Sequence, residues 1–156
     1  METKSLSEST ICCFGDSTTW GDNGCGAGGN DISWTSHLGA LLGGAVVENF
    51  GIKGSRIAIK ADRTDSFVER LDGIDDAADI YIVFGGVNDF SRNVPLGELG
   101  STDVHEFYGA LDYLIRTITA RSPQAKPCVY DAVQDERQAN REGLSRQSDE
   151  LNHLGL

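Results

Sequence analysis

The sequence is short of positive charge. Its 156 residues include 13 lysines and arginines against 24 aspartates and glutamates, a formal net charge of -11 at pH 7. A protein that binds nucleic acid or an anionic membrane surface needs a basic face, and none is evident here. The charge balance therefore argues against nucleic acid and membrane as partners.

Long apolar stretches are also missing. The first ten residues, METKSLSEST, are polar and lack the apolar core of a secretion signal. No apolar run approaches the roughly 20 residues that a membrane-spanning helix requires. We therefore expect a cytoplasmic protein with a single domain over residues 1–156, a length that can bury a substantial core.

Cysteines are few, and their spacing is not that of a metal site. The four are Cys12, Cys13, Cys25 and Cys128. In a strand, neighbouring Cys12 and Cys13 would point to opposite faces. We expect reduced thiols, and no metal or organic cofactor is implied.

Short apolar runs that end in glycine-rich loops alternate with segments of helical period. This pattern is typical of parallel strands joined by crossover helices, an α/β fold. The predicted strands are Ile11–Phe14, Ala45–Asn49, Ile80–Phe84 and Cys128–Tyr130. In such a sheet, chemistry collects at the carboxyl ends of the strands.

Three helices are predicted between the strands. The longest begins after Asp103, which makes a capping box with Glu106. Its apolar face, which should cover the sheet, carries Phe107, Leu111, Leu114, Ile115 and Ile118. A shorter helix follows Ser33 and presents Trp34, Leu38, Leu41 and Leu42. A third spans Ser66–Leu71, with a cap at Thr64 or Asp65.

Each of the first three strands is followed by a loop that suits acyl transfer. Residues 15–17 (GDS) offer a hydroxyl nucleophile, residues 49–55 (NFGIKGS) a glycine N–H, and residues 85–89 (GGVND) a side-chain amide. Taken singly, each loop is an ordinary turn, since Asp, Ser, Asn and Gly are common turn residues. Their occurrence together and in order favours a catalytic site.

The G-D-S, N-x-G-x-x-G and G-x-N-D blocks resemble the first three sequence blocks of the SGNH hydrolases, also called GDSL-type esterases. The resemblance runs from about Ile11 to Asn140, and GGVNDF, PLGEL and FYGALDYLI are similar to a bacterial branch of the family. It implies a flavodoxin-like, three-layer α/β/α fold with a parallel sheet in the order 2-1-3-4-5. It also implies a serine ester hydrolase that acts on acyl or acetyl esters of carbohydrates or small molecules.

The resemblance assigns roles to three residues. Ser17 would be the nucleophile, and the N–H groups of Ser17 and Gly54 with the side-chain amide of Asn88 would form the oxyanion hole. Attack on an ester carbonyl puts negative charge on oxygen, and loss of one fixed donor costs about 2.7–4 kcal/mol of barrier. Asp16 is expected to hold its loop by hydrogen bonds to backbone rather than to act as an acid.

A competing motif lies at residues 24–29. The stretch GCGAGG satisfies G-x-G-x-x-G, and Glu48 lies near the distance expected of a ribose-binding acid. In a dinucleotide site these glycines follow the strand immediately, whereas residues 16–23 intervene here. Nucleotide binding is therefore the weaker interpretation.

The family's last block is missing from the sequence. SGNH hydrolases supply the catalytic base as a histidine in a late D-x-x-H block, and no D-x-x-H occurs here. His37 and His105 fall far from the expected position, and His153 follows Asp149 at a different spacing. We therefore expect a chain that is truncated, compared with its relatives, before the last strand, its helix and the histidine.

Two functions from different classes stay open. One is an ester hydrolase impaired by the absent histidine, and the other is a non-catalytic binding or remnant domain that retains the oxyanion pocket. Trp20, Trp34 and Phe90 could line a pocket or belong to the core, so the substrate is not identified. Without an outer neighbour, Cys128–Tyr130 would be an exposed apolar edge, so we expect self-association or poor solubility unless the C-terminal segment covers that edge.

Overall fold

A parallel sheet forms the centre of the molecule, of which the structure, a computed structural model, describes residues 4–74 and 77–131. The strands are β1 (Thr10–Gly15), β2 (Val46–Gly51), β3 (Ile80–Gly85) and β4 (Lys126–Asp131), in the order β2-β1-β3-β4. Every strand pair is parallel. All four predicted strands are confirmed, each to within two residues at either end.

In the described part of the chain, five helices connect or flank these strands. They are α1 (Ser17–Trp20), α2 (Trp34–Leu41), α3 (Phe67–Arg70), α4 (Val87–Ser91) and α5 (Phe107–Arg121). Short 3-10 turns occur at Leu6–Glu8, Asn30–Ile32 and Leu71–Gly73. Within the described ranges, none of the helices has the length and apolar character needed to cross a membrane.

The helices cover both faces of the sheet, so the three-layer α/β/α fold is confirmed. Helices α3 and α5 pack on one face against Cys12, Phe14, Tyr81 and Val83. Helix α2 packs on the other face against Ile11, Cys13, Val47, Ile80 and Ile82. Cys12 and Cys13 therefore belong to opposite faces, as predicted, and both are buried.

The capping box predicted at the start of α5 is wrong. Glu106 occupies the N-cap position, but its side chain makes no capping hydrogen bond to the described residues of the helix. Asp103 instead accepts a hydrogen bond from the N–H of His105. The first two N–H groups of α5 donate to the carbonyls of Pro95 and Leu96, at 2.9 and 3.0 Å. Tertiary contacts therefore satisfy the donors that a local cap would otherwise serve.

A capping box does occur, at the start of α3. The Ser66 hydroxyl accepts a hydrogen bond from the N–H of Glu69, and the Glu69 carboxylate accepts one from the N–H of Ser66. The predicted cap at Thr64 or Asp65 is therefore wrong by one or two positions. This reciprocal pair satisfies two donors that the first turn leaves open.

Two apolar residues of the predicted helices are exposed, and of these only Ile115 was predicted to face the sheet. Ile115 of α5 is 37% exposed and Leu41 of α2 is 80% exposed. Successive residues of a helix point about 100° apart, so Ile115 turns away from the sheet that its neighbour Leu114 contacts. Ala110 occupies the buried position on that face. The other apolar residues of the predicted helices, Phe107, Leu111, Leu114, Ile118, Trp34, Leu38 and Leu42, pack in the core clusters.

Among the described residues, β4 has a strand on one side only, which is β3. Val129 is 38% exposed and Tyr130 is 50% exposed on this strand. An apolar edge with unpaired backbone groups recruits further strands. Self-association through β4 therefore stays a prediction.

We expect Val129→Lys to weaken self-association, because a charge on an edge strand opposes pairing with a second copy. Sedimentation velocity over a range of protein concentrations would measure the monomer fraction. Leu41→Lys places the same charge at an exposed leucine on α2 and should change nothing. A wild-type chain that stays monomeric at high concentration would contradict the prediction.

Candidate active site

The three predicted loops lie together at the carboxyl edge of the sheet. Gly15, the last residue of β1, pairs in register with Gly51 of β2 and with Phe84 of β3. Because the strands are parallel, the residues that follow these three positions leave the sheet on one side. Ser17 and Asn88 follow β1 and β3 in this way, each within three residues of its strand.

Asp16 holds the turn that carries Ser17. Its carboxylate accepts a hydrogen bond of 3.0 Å from the N–H of Thr18 and so caps α1. Ser17 is the first residue of this short helix and is half-buried. The expected structural role of Asp16 is confirmed by this bond. Burial raises the pKa of the Asp16 carboxyl.

Asn49 joins the end of β2 to the segment that follows Ser17. Its Nδ2 donates to the Thr19 carbonyl at 2.7 Å and to the Thr35 hydroxyl at 2.9 Å, and its Oδ1 accepts from the N–H of Gly51. A Cβ on Gly51 would lie 2.1 Å from the backbone nitrogen of Trp20. Both the asparagine and the first glycine of the N-x-G-x-x-G block therefore serve to pack β2 against α1.

Gly54 adopts a conformation that favours glycine. Its φ is 75°, and a Cβ there would lie 2.8 Å from Nη1 of Arg63. The same loop is bonded to β1, because the N–H of Ile52 donates to the Gly15 carbonyl at 3.1 Å. The loop that carries Gly54 is thus anchored two residues before Ser17.

Asn88 links the third loop to the other two. Its Nδ2 donates to the Ser55 carbonyl at 3.0 Å and to Oδ2 of Asp16 at 3.3 Å. Ser55 follows Gly54, and Asp16 precedes Ser17. Both hydrogens on Nδ2 are therefore used within the protein.

Asp89 is a buried residue to which the sequence analysis assigned no role. Its two carboxylate oxygens accept hydrogen bonds from the N–H groups of Ile57 and Ala58, at 2.8 and 3.0 Å. Burial raises the pKa of the Asp89 carboxyl. Its place in the G-x-N-D block, directly after Asn88, is the sequence signal that could have identified it. Asp89 fastens α4, and with it Asn88, to the segment that follows Gly54.

A cavity of about 360 Å³ adjoins Ser17. Its lining residues are Ser17, Thr18, Gly21, Asp22, Asn23, Gly24, Ile32, Ser33 and Trp34. Gly54 and Asn88 are not among them. Convergence of all three predicted groups on one cavity therefore stays a prediction.

The other two aromatic candidates lie elsewhere. Phe90 lines a separate cavity of about 490 Å³ with Val94 and Phe107. Trp20 instead supports Lys53, whose ammonium lies 4.9 Å from the indole ring. Of the three aromatic residues, Trp34 is the one that lines the Ser17 cavity.

The histidines of the described ranges are exposed. His37 lies on α2, and the His105 ring is hydrogen-bonded to Asp103 at 2.9 Å. His153 and Asp149 lie outside the described residues. Among residues 4–74 and 77–131, no group of three or more His, Cys, Asp or Glu side chains could hold a metal ion.

A family model described as the GDSL-like lipase/acylhydrolase family matches residues 13–154. A search of curated proteins found no match. The family match covers the G-D-S, N-x-G-x-x-G and G-x-N-D blocks, whose residues form the edge described above.

Solved structures resemble the chain as well. One crystal structure is 94% identical, with a TM-score of 0.79 over 81% of this chain and 57% of its own. A protein from Lactobacillus plantarum is 31% identical, with a TM-score of 0.65 over 80% and 56%. A possible lipase from Chitinophaga pinensis, 24% identical with a TM-score of 0.63 over 78% and 48%, shows the fold alone. The chain thus spans a little over half the length of the first two.

We expect Asp89→Ala to lower the free energy of unfolding by about 3 kcal/mol, because each buried donor left without a partner costs about 1–3 kcal/mol. The variant also no longer buries a carboxylate, which offsets part of the loss in the free energy of unfolding. Urea denaturation followed by circular dichroism would measure it. Asp31→Ala, at an exposed aspartate, is the control, and an equal loss in both variants would contradict the role of Asp89.

Proposed function

Because the chain belongs to the GDSL-like lipase/acylhydrolase family, we propose that it carries the nucleophile and the oxyanion hole of a serine ester hydrolase. Ser17 is the nucleophile, and the donors are the N–H groups of Ser17 and Gly54 and the Nδ2 group of Asn88. The observation that carries this proposal is the pair of hydrogen bonds from Asn88 to Ser55 and Asp16. They draw the third loop against the residues next to Gly54 and Ser17.

The proposed reaction begins with attack of the Ser17 Oγ on the ester carbonyl carbon. The carbonyl oxygen takes the negative charge, and the three donors stabilise it where water would do so less well. Asn88 exchanges its 3.3 Å bond to Asp16 for a bond to that oxygen. The bond between the carbonyl carbon and the alcohol oxygen then breaks as the carbonyl re-forms, and the alcohol leaves with a proton that replaces the one released from Ser17. Water adds to the acyl-serine, releases the carboxylic acid and restores the Ser17 hydroxyl. The Ser17 proton needs an acceptor at the first step.

We further propose that hydrolysis by this chain is impaired. The family's base is the histidine of D-x-x-H, and that block does not occur in the sequence. His105 is engaged with Asp103, and His37 is exposed on α2. Without a base, Ser17 attacks as a neutral hydroxyl, which is a weak nucleophile.

The substrate proposed is an acyl or acetyl ester of a carbohydrate or a small molecule, in the cytoplasm. The 360 Å³ cavity beside Ser17 supports a small ligand, and Trp34 offers it an apolar surface. The alternative function is a binding or remnant domain that uses the same donors without turnover. The donors at the sheet edge are compatible with both functions. The two functions differ in proton transfer, because hydrolysis requires an acceptor for the Ser17 proton and binding does not.

We expect slow hydrolysis of p-nitrophenyl acetate by the folded chain. Serine hydrolases that lack a catalytic residue retain roughly 10³–10⁴-fold acceleration over water from the oxyanion hole and binding. Asn88→Ala should reduce this residual rate, because one donor is lost. The absorbance of released p-nitrophenolate would measure the rates of the wild-type chain and of Asn88→Ala, each shown by circular dichroism to be folded. A residual rate that does not depend on Asn88 would favour the binding function.

We expect little labelling of Ser17 by fluorophosphonates, and recovery of labelling when an extension bearing D-x-x-H is appended. Mass spectrometry of the intact chain would measure the labelled fraction. The matched control is the same extension with alanine in place of its histidine. Rapid stoichiometric labelling of the unmodified chain would contradict the proposed impairment, and His153→Ala would then identify the base.

A further inference from the structure

Arg70, the last residue of α3, contacts two of the three loops of the candidate site directly. Its Nη2 donates to the Gly15 carbonyl at 3.1 Å and to the Ser55 hydroxyl at 3.0 Å. Its Nη1 donates to the Phe50 carbonyl at 2.9 Å, and its Nε donates to the Asp65 carbonyl at 2.9 Å. One guanidinium group therefore binds four separate points of the chain.

Three of these four points belong to the loops that carry the proposed donors. Gly15 is two residues before Ser17. Ser55 directly follows Gly54, and its carbonyl is the acceptor for Asn88. Phe50 is the next-to-last residue of β2 and directly precedes Gly51, which packs against α1. The spacing between the loops thus depends on a planar group whose own bond directions are fixed.

The guanidinium is itself held firmly. It lies 4.6 Å from the centre of the Phe14 ring and 5.2 Å from the centre of the Phe67 ring. The capping box of Ser66 and Glu69 fixes the short helix from which it extends. Burial lowers the pKa of Arg70 to about 10, so the group stays charged at neutral pH.

We propose that Arg70 is a positioning residue that sets the distances among the Ser17, Gly54 and Asn88 donors. It reaches backbone and hydroxyl groups of the loops and acts on the reaction through them. Its effect on rate rests on the proposed function, because an oxyanion hole works only when its donors are held in place before the charge develops. A lysine cannot replace it, since an ammonium group lacks the planar fork that meets several acceptors at fixed angles.

The first experiment separates kcat from KM in the residual hydrolysis of p-nitrophenyl acetate. A shift of about 1 Å in a reacting geometry costs up to about a hundredfold, so Arg70→Met should lower kcat at least about tenfold with KM nearly unchanged. Arg70→Lys should lower kcat less, because it keeps the charge and the aliphatic stem. Arg121→Met is the matched control, since Arg121 donates to the Leu71 carbonyl at 3.1 Å and to the Asp72 carboxylate.

Ser55→Ala keeps the experiment informative if Arg70→Met fails to fold. This variant removes one acceptor of Arg70 and leaves the Ser55 carbonyl in place for Asn88. The effects of Ser55→Ala and Arg70→Lys on kcat should be less than additive, because both disturb the same contact. Normal kcat in Arg70→Lys and in Ser55→Ala, with only a lower melting temperature, would overturn the proposal.

A second measurement tests the positioning itself without using activity. In ¹H–¹⁵N spectra of the full chain, Arg70→Lys should shift the Gly54 N–H and the Asn88 side-chain amide, and Arg121→Met should shift neither. Unmoved resonances in Arg70→Lys would overturn the proposal. If the wild-type chain shows no hydrolysis that depends on Asn88, the proposed function fails, and these spectra still decide whether Arg70 positions the loops.

Discussion

The candidate site depends on strand ends that lie very close to the segments packed against them, and only glycine leaves room for this contact. β1, β2 and β3 all end in glycine. A Cβ on Gly15 would lie 2.1 Å from the Thr19 hydroxyl oxygen, one on Gly51 would lie 2.1 Å from the Trp20 nitrogen, and one on Gly85 would lie 2.7 Å from the Phe67 ring. Each strand end therefore touches the segment packed above it, and the loops that follow have little freedom to move apart.

Hydrogen bonds from side chains to backbone then hold the loops in place. Asp16 accepts from the N–H of Thr18 in α1, and Asn49 donates to the carbonyl of Thr19 in the same helix. Asp89 accepts from two backbone N–H groups that follow Gly54 in the chain. Buried polar groups of this kind specify one geometry, because any shift leaves a donor or acceptor without a partner. The polar residues of the three sequence blocks thus have a structural role, and this role does not depend on the chemistry proposed for Ser17.

The sequence predicted what depends on local pattern, and the differences arise where distant segments meet. Apolar runs located all four strands, most clearly β1, which is buried over residues 11–15 and is therefore apolar along most of its length. The Asp103 and Glu106 pattern at α5 was misleading, since the helix start is satisfied by Pro95 and Leu96, which precede it in the chain. The role of Arg70 was not predictable, because its acceptors lie 5 to 55 residues away in sequence. The catalytic roles of Ser17, Gly54 and Asn88 stay predictions that rest on the family resemblance.

The two proposed functions share this geometry and differ in where the Ser17 proton goes. Donors that are fixed in advance stabilise a negative oxygen, whether it belongs to a reacting ester or to a bound ligand with an acceptor group. Turnover requires in addition a base that takes the proton from Ser17 and returns it to the leaving alcohol. Every group proposed to stabilise charge follows one of the first three strands, whereas the family's base follows a later block. The hydrogen bonds of Asp89 to Ile57 and Ala58 do not involve a base, so the geometry of the proposed oxyanion hole and the proton path are separate requirements.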